Sequence, residues 1–253
     1  MGLQPCEVVV AMRRFALLAV VAAWFGVLGH SLASAEATMS CPAGTYDMLD
    51  WMTLDSNLRA SNHMTGSANP LYTQIQPGKF SWVKGGNGYP WDIQLYDNQY
   101  IYQWITEYSW NSPTTYKKFT NNTNMPFAPR CAKGGFPGST IKVPNTSYDI
   151  HTSCQSYTTH TLKMGINQLW GPYKISLGGN LPGNLPTLIL SYRYNCDVSY
   201  GNCGDKEEFY FAQRYGLVQW VHYALISGKY QQQQKSVFNQ VTSGTAVTNF
   251  SCF

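Results

Sequence analysis

Beyond Arg59 the chain is written in short runs whose alternate positions share a character, broken every few residues by Gly, Pro and Asn. Alternate residues of a strand point to opposite faces, so this texture predicts a mostly β chain. In Trp91–Asp97 one face carries Trp91, Ile93 and Leu95, and the other Asp92, Gln94 and Tyr96. Tyr100–Trp110 sets Tyr100, Tyr102, Trp104, Thr106, Tyr108 and Trp110 against Ile101, Gln103, Ile105 and Glu107. Thr187–Asn195 sets Leu188, Leu190, Tyr192 and Tyr194 against Ile189, Ser191, Arg193 and Asn195. The clearest pairing signal is Glu207–Gln213, then Arg214-Tyr215-Gly216, then Leu217–Leu225, which reads as a hairpin. Its second strand puts Val218, Trp220, His222 and Ala224 on one side.

One short helix is predicted over Tyr46–Leu54, where apolar groups recur three and four apart and the acidic residues come early. Gly- and Pro-rich loops are expected at Gly85–Gly88, Gly134–Gly138 and Gly178–Pro186. Neither an internal repeat nor a domain linker interrupts the pattern. The expected architecture is therefore a single β-sandwich of jelly-roll type over residues 36–253, with one short N-terminal helix.

The segment ahead of it has a different logic. From Met12 the chain runs Arg13-Arg14, an apolar stretch of 14 residues from Phe15 to Leu28, and Ala33-Ser34-Ala35. A positive start, a short apolar core and a small-residue cleavage site make a secretory signal peptide, with the mature chain beginning at Glu36. The apolar stretch falls short of the about 20 residues that span a bilayer, so no membrane span is expected in the mature form. Residues 1–11 carry Glu7 and no export logic, and read as an over-called start.

Removal of residues 1–35 takes Cys6 and leaves Cys41, Cys131, Cys154, Cys196, Cys203 and Cys252. An even set in an exported chain predicts disulfides. Sequence alone does not choose among the pairings; proximity favours Cys196–Cys203 and Cys131–Cys154, leaving Cys41–Cys252. No C-x-x-C pair or His pair at ligand spacing argues for zinc, and no cofactor or metal is expected. The 17 Lys and Arg less Arg13 and Arg14 give 15, and the 13 Asp and Glu less Glu7 give 12. That balance is too weak and too scattered for a nucleic-acid footprint. Charged residues are 12% of the chain, against about 25% in ordinary soluble proteins. Neutral hydrogen-bonding side chains take their place, which suits a polyhydroxyl partner.

Aromatic and polar side chains alternating on strands point to a glycan, because Trp and Tyr faces cover the C–H faces of sugar rings while their polar edges stay wet. The candidate platform is Trp91, Tyr102, Trp104, Tyr210 and Trp220. For hydrolysis, Glu107 and Glu208 are the candidate carboxylate pair, with Asp92 as substitute. For proton abstraction in a lyase, His222 is the candidate base, with Arg193 and Asn195 to steady developing charge. No G-x-S-x-G elbow and no phosphate-binding Gly loop is present. The expected function is a secreted carbohydrate-binding or polysaccharide-processing protein, and if an enzyme, a glycoside hydrolase or polysaccharide lyase. Its rival is a structural or envelope-associated β protein without a glycan ligand, in which the same aromatics form only a core.

Overall fold

The computed structural model describes residues 39–67, 70–84, 90–109, 112–120, 125–152 and 155–245. Trp110, Cys154, Cys252, the Gly85–Gly88 loop and the signal segment lie outside them. A short strand β1 (Thr45–Asp47) leads into helices α1 (Met48–Met52) and α2 (Ser56–Arg59). Six strands then follow as consecutive antiparallel neighbours. They are β2 (Asn62–Gly66), β3 (Leu71–Gln76), β4 (Lys79–Lys84), β5 (Pro90–Tyr96), β6 (Tyr100–Ser109) and β7 (Ser112–Phe119). Next come β8 (Pro126–Pro129), which pairs with β6, and β9 (Cys131–Lys133), which pairs with β1. After β10 (Thr140–Val143), the strands β11 (Thr146–Thr152) and β12 (Gln155–Leu162) extend the sheet beyond β7.

A second meander completes the sheet with β13 (Gly165–Ile175), β14 (Leu185–Cys196), β15 (Cys203–Ala212), β16 (Gly216–Ile226) and β17 (Lys229–Ser243). The early part of β17 pairs with β16 and its later part with β2, so one long strand joins the two meanders. At the other side β8 runs beside β10 and β13. There Asn167 of β13 donates Nδ2 to the carbonyls of Pro126 (3.2 Å) and Phe127 (2.9 Å). Consecutive strands are thus mostly sheet neighbours, a meander order and not the jelly-roll exchange expected. No helix among the described residues is long and apolar enough to cross a membrane.

The main core draws Phe80 and Trp82 from β4, Phe127 from β8, Leu188 and Leu190 from β14, and Phe209 and Phe211 from β15. The N-terminal segment closes one end of it. Asp47 caps α1 by accepting from the Leu49 N–H at 3.0 Å, which lets Met48, Leu49, Trp51 and Met52 bury together. The single helix expected over Tyr46–Leu54 is shorter because Thr53 turns to extended geometry, its hydroxyl and N–H both donating to the Leu49 carbonyl. Leu54 then bridges to Tyr215 in the β15–β16 turn. Gly216 makes that approach possible: it has φ +70°, and a Cβ there would come within 2.9 Å of the Thr53 carbonyl carbon.

Cys196 and Cys203 are joined, as proximity favoured, and face each other across β14 and β15. The other expected pairings are overturned, because Cys41 is joined to Cys131 with a Cα–Cα distance of 5.4 Å. The cause is register: β1 pairs with β9, placing Asp47 opposite Cys131 and carrying the N-terminal segment past it.

Candidate functional site

Two rows of side chains, one from each meander, meet around an interior cavity of about 240 Å³. The first row is Asp92, Thr106 and Lys117, mutual partners across β5, β6 and β7. The second is Tyr192, Glu207, His222 and Gln234, partners across β14, β15, β16 and β17. Paired residues on antiparallel strands share a face, so each row delivers its polar groups to the same interior. Trp91, Gln103, Glu107, Tyr194 and Trp220 complete the lining used below.

Trp91 reaches the cavity through an irregularity. Trp82 is opposite Asp92 and Val83 opposite Pro90, leaving Trp91 as an extra residue in β5. Such a bulge re-aims a side chain, and here successive residues Trp91 and Asp92 both line the cavity. A second bulge lies in β6, where Ile93 is opposite Ile105 and Gln94 opposite Gln103. Trp104 is the extra residue, and the face assignment reverses there: Gln103 and Thr106 both line the cavity.

The groups are tightly linked. Glu207 accepts from Trp220 Nε1 at 3.1 Å and from the Tyr194 hydroxyl at 3.3 Å. Lys84 Nζ is ion-paired with Glu107 at 2.6 Å, and stands 5.6 Å from the centre of the Trp91 ring. His222 Nε2 is 3.8 Å from Asp205 Oδ1, and its ring lies parallel to Trp220. Trp91 meets Trp220 edge to face at 5.5 Å. Asp92 is 4% exposed, and its Oδ1 has no hydrogen-bond partner among the described residues.

Burial governs the titration of this cluster. It pushes the Asp92 carboxyl up to about 7, against a hydrogen bond from Thr106, with Glu207 and Glu107 adding to the rise. Glu207 is also raised by burial, although Trp220, His222, Lys117 and Tyr194 all favour its charged form. Burial lowers Lys117 against the pull of Glu207, Asp205 and Asp92. Tyr192 and Tyr194 are raised by burial and then by Glu207, so both hydroxyls hold their protons. Among the described residues no three of His, Cys, Asp and Glu are grouped to hold a metal ion.

Of the residues singled out from sequence, Trp91, Glu107, Trp220 and His222 line this cavity, as does Asp92. The others do not. Glu208 is on the opposite face of β15, where it accepts from Lys206 at 2.8 Å, Tyr210 at 2.9 Å and Tyr223 at 3.1 Å. Arg193 donates to Gln168 at 2.8 Å. The Tyr102 hydroxyl donates to Asp97 at 2.9 Å, at the β5–β6 turn. Trp104 packs with Ile93, Ile105 and Tyr116, near Lys79 and Lys118. The five aromatics therefore do not share one groove; Trp91 and Trp220 alone of them line the cavity, each 7% exposed. Sequence reasoning passed over Glu207, Tyr192, Tyr194 and Lys117 as site residues. Alternation held the signal for three of them, since Glu207 shares parity with Phe209 and Phe211, and both tyrosines with Leu188 and Leu190. No known protein family, curated protein or solved structure matches this chain.

Proposed function

We propose that the protein is a secreted carbohydrate-binding or carbohydrate-processing protein whose interior cavity receives one sugar unit. The observation that carries this reading is the lining itself: two indoles and a dense set of hydrogen-bonding side chains around one small space. A sugar offers an apolar C–H face and a rim of hydroxyls, and both halves find partners here. At about 240 Å³ the cavity is below the about 300–1,000 Å³ of sites for drug-sized ligands, which favours a single unit or chain end. Export is supported by the Met12–Ala35 pattern and the two disulfides. The rival structural reading has one observation in its favour, that Trp91 and Trp220 also belong to the main core cluster.

A glycan array probed with residues 36–253 separates the two. Wild-type protein is expected to retain a defined glycan, and Trp220→Phe, which removes the Nε1 donor and shrinks the apolar face, to weaken retention at least about tenfold. Circular dichroism verifies the fold of the variant. No retention by wild type, or equal retention by Trp220→Phe and Trp91→Phe, would return these residues to a purely structural role.

A further inference from the structure

We infer that Asp92 and Glu207 are a proton donor and acceptor pair that hydrolyses the glycosidic bond of the sugar unit held in the cavity, an inference that rests on the carbohydrate reading above. The two carboxyls reach one space from opposite meanders, Asp92 from the β5–β6–β7 row and Glu207 from the β14–β15–β16 row. Acid and base flank a scissile bond, and carboxyls delivered to one cavity by two separate meanders are available for that arrangement.

Their surroundings differ in the sense the two roles require. Asp92 is the cavity carboxyl with a buried oxygen, Oδ1, for which the described residues supply no partner. A protonated Asp92 that turns this oxygen to a substrate gives up no existing contact of it. Glu207 has both oxygens engaged by donors, Trp220 Nε1 and the Tyr194 hydroxyl, which hold the carboxylate in one orientation with lone pairs to spare. Glu107 is the third carboxylate, and Lys84 binds it at 2.6 Å. Around Asp92 stand Glu107 and Lys84 on one side, Lys117 from β7, and Glu207 with His222 from the opposite row. Burial among them keeps the Asp92 proton in place up to about pH 7.

Water is the co-reactant. Its oxygen bonds the anomeric carbon as Glu207 takes one of its protons, the bond from that carbon to the bridging oxygen breaks, and Asp92 gives its proton to the departing oxygen. Charge passes from Glu207 to Asp92, and no redox partner is needed.

The test uses phenyl and 2,4-dinitrophenyl glycosides of the common hexoses, pentoses and N-acetylhexosamines with the disulfide-bonded mature chain. Wild type is expected to release phenol from one sugar of the panel. Asp92→Asn is expected to slow the phenyl glycoside about 100-fold or more, yet leave the dinitrophenyl glycoside within a few-fold, because that leaving group needs no proton. Glu207→Gln is expected to slow both about equally. Both substitutions keep size and shape, and near-ultraviolet circular dichroism reports whether packing survives. Equal slowing of both glycosides by Asp92→Asn removes Asp92 as donor, and unchanged rates in Glu207→Gln remove Glu207. Wild type that retains a glycan on the array yet releases nothing from any glycoside overturns hydrolysis and leaves binding intact. Absence of array retention strikes the carbohydrate reading itself.

Discussion

Asp92 couples the site to the stability of the fold. Its carboxyl is raised from a usual value near 4 to about 7, chiefly by burial. A group that holds its proton more tightly when folded contributes stability that is complete below its unfolded value. That contribution is lost as pH rises through the folded one. The wild-type protein should therefore weaken between about pH 4 and pH 7 relative to Asp92→Asn, which has no proton to lose. The difference is bounded at about 4 kcal/mol by the size of the shift. Urea unfolding of both proteins across this range measures it. Parallel stability curves would mean that Asp92 ionises as freely inside the fold as outside it. At this scale the sequence was only half readable: it offered Asp92 as an alternative carboxylate, but nothing in a lone Asp on an alternating run says that its polar face is the inner one.

At the scale of elements, α1 shows how local and distant contacts lock together. Asp47 caps the helix and also binds Arg130, whose Nε approaches Oδ1 at 2.5 Å and whose Nη2 approaches Oδ2 at 3.0 Å. Asp47→Ala removes the cap and takes the bound carboxylate from a mostly buried guanidinium, which among the described residues keeps only the Asp97 carbonyl as a hydrogen-bond acceptor, with an expected loss of about 3–5 kcal/mol. Arg130→Met made on top of Asp47→Ala should recover part of that loss, since the stranded charge goes with it. If the double variant is no more stable than Asp47→Ala, the cap dominates and the ion pair is incidental. The same scale explains what sequence did and did not disclose. The hairpin over Glu207–Leu225 was legible because both strands alternate and Arg214–Gly216 supplies the turn, which takes φ of 75° at Arg214 and 70° at Gly216. The faces of β14 were legible for the same reason. Those of β5 and β6 were not, because a bulge is one extra residue without a composition of its own. Trp91 and Trp104 read as ordinary members of their rows, and each breaks the period. Glu107 and Glu208 are not brought together in the cavity: Glu207 and Glu208 are both acidic, and parity with Phe209 and Phe211, together with the register against Tyr192 and His222, puts Glu207 inward.

For the whole molecule, the cysteines give a direct check. Cys41–Cys131 and Cys196–Cys203 use four of the six expected in the mature chain, leaving Cys154 and Cys252. A peptide map without reductant should recover these last two as one linked pair, and thiol labelling of the unfolded, unreduced protein should find no free Cys. Loss of Cys41–Cys131, which closes a separation of 90 residues, should destabilise the fold by about 2–5 kcal/mol. Labelled Cys154 and Cys252 would contradict the expectation of a fully oxidised chain. The junction of β17 with β2 has a bearing on time. Gly66 and Phe238 are opposite each other there, and no sheet joins the two meanders at that side until a late strand has been made and has found an early one. Local hairpins such as β15–β16 form without waiting, whereas a pairing this distant must overcome chain closure before it is rewarded. The rows bearing Asp92 and Glu207 belong to different meanders, so the cavity that buries both carboxyls exists only where the two meanders are assembled. The acidity of the site is thus a property of the completed fold, which neither meander carries by itself.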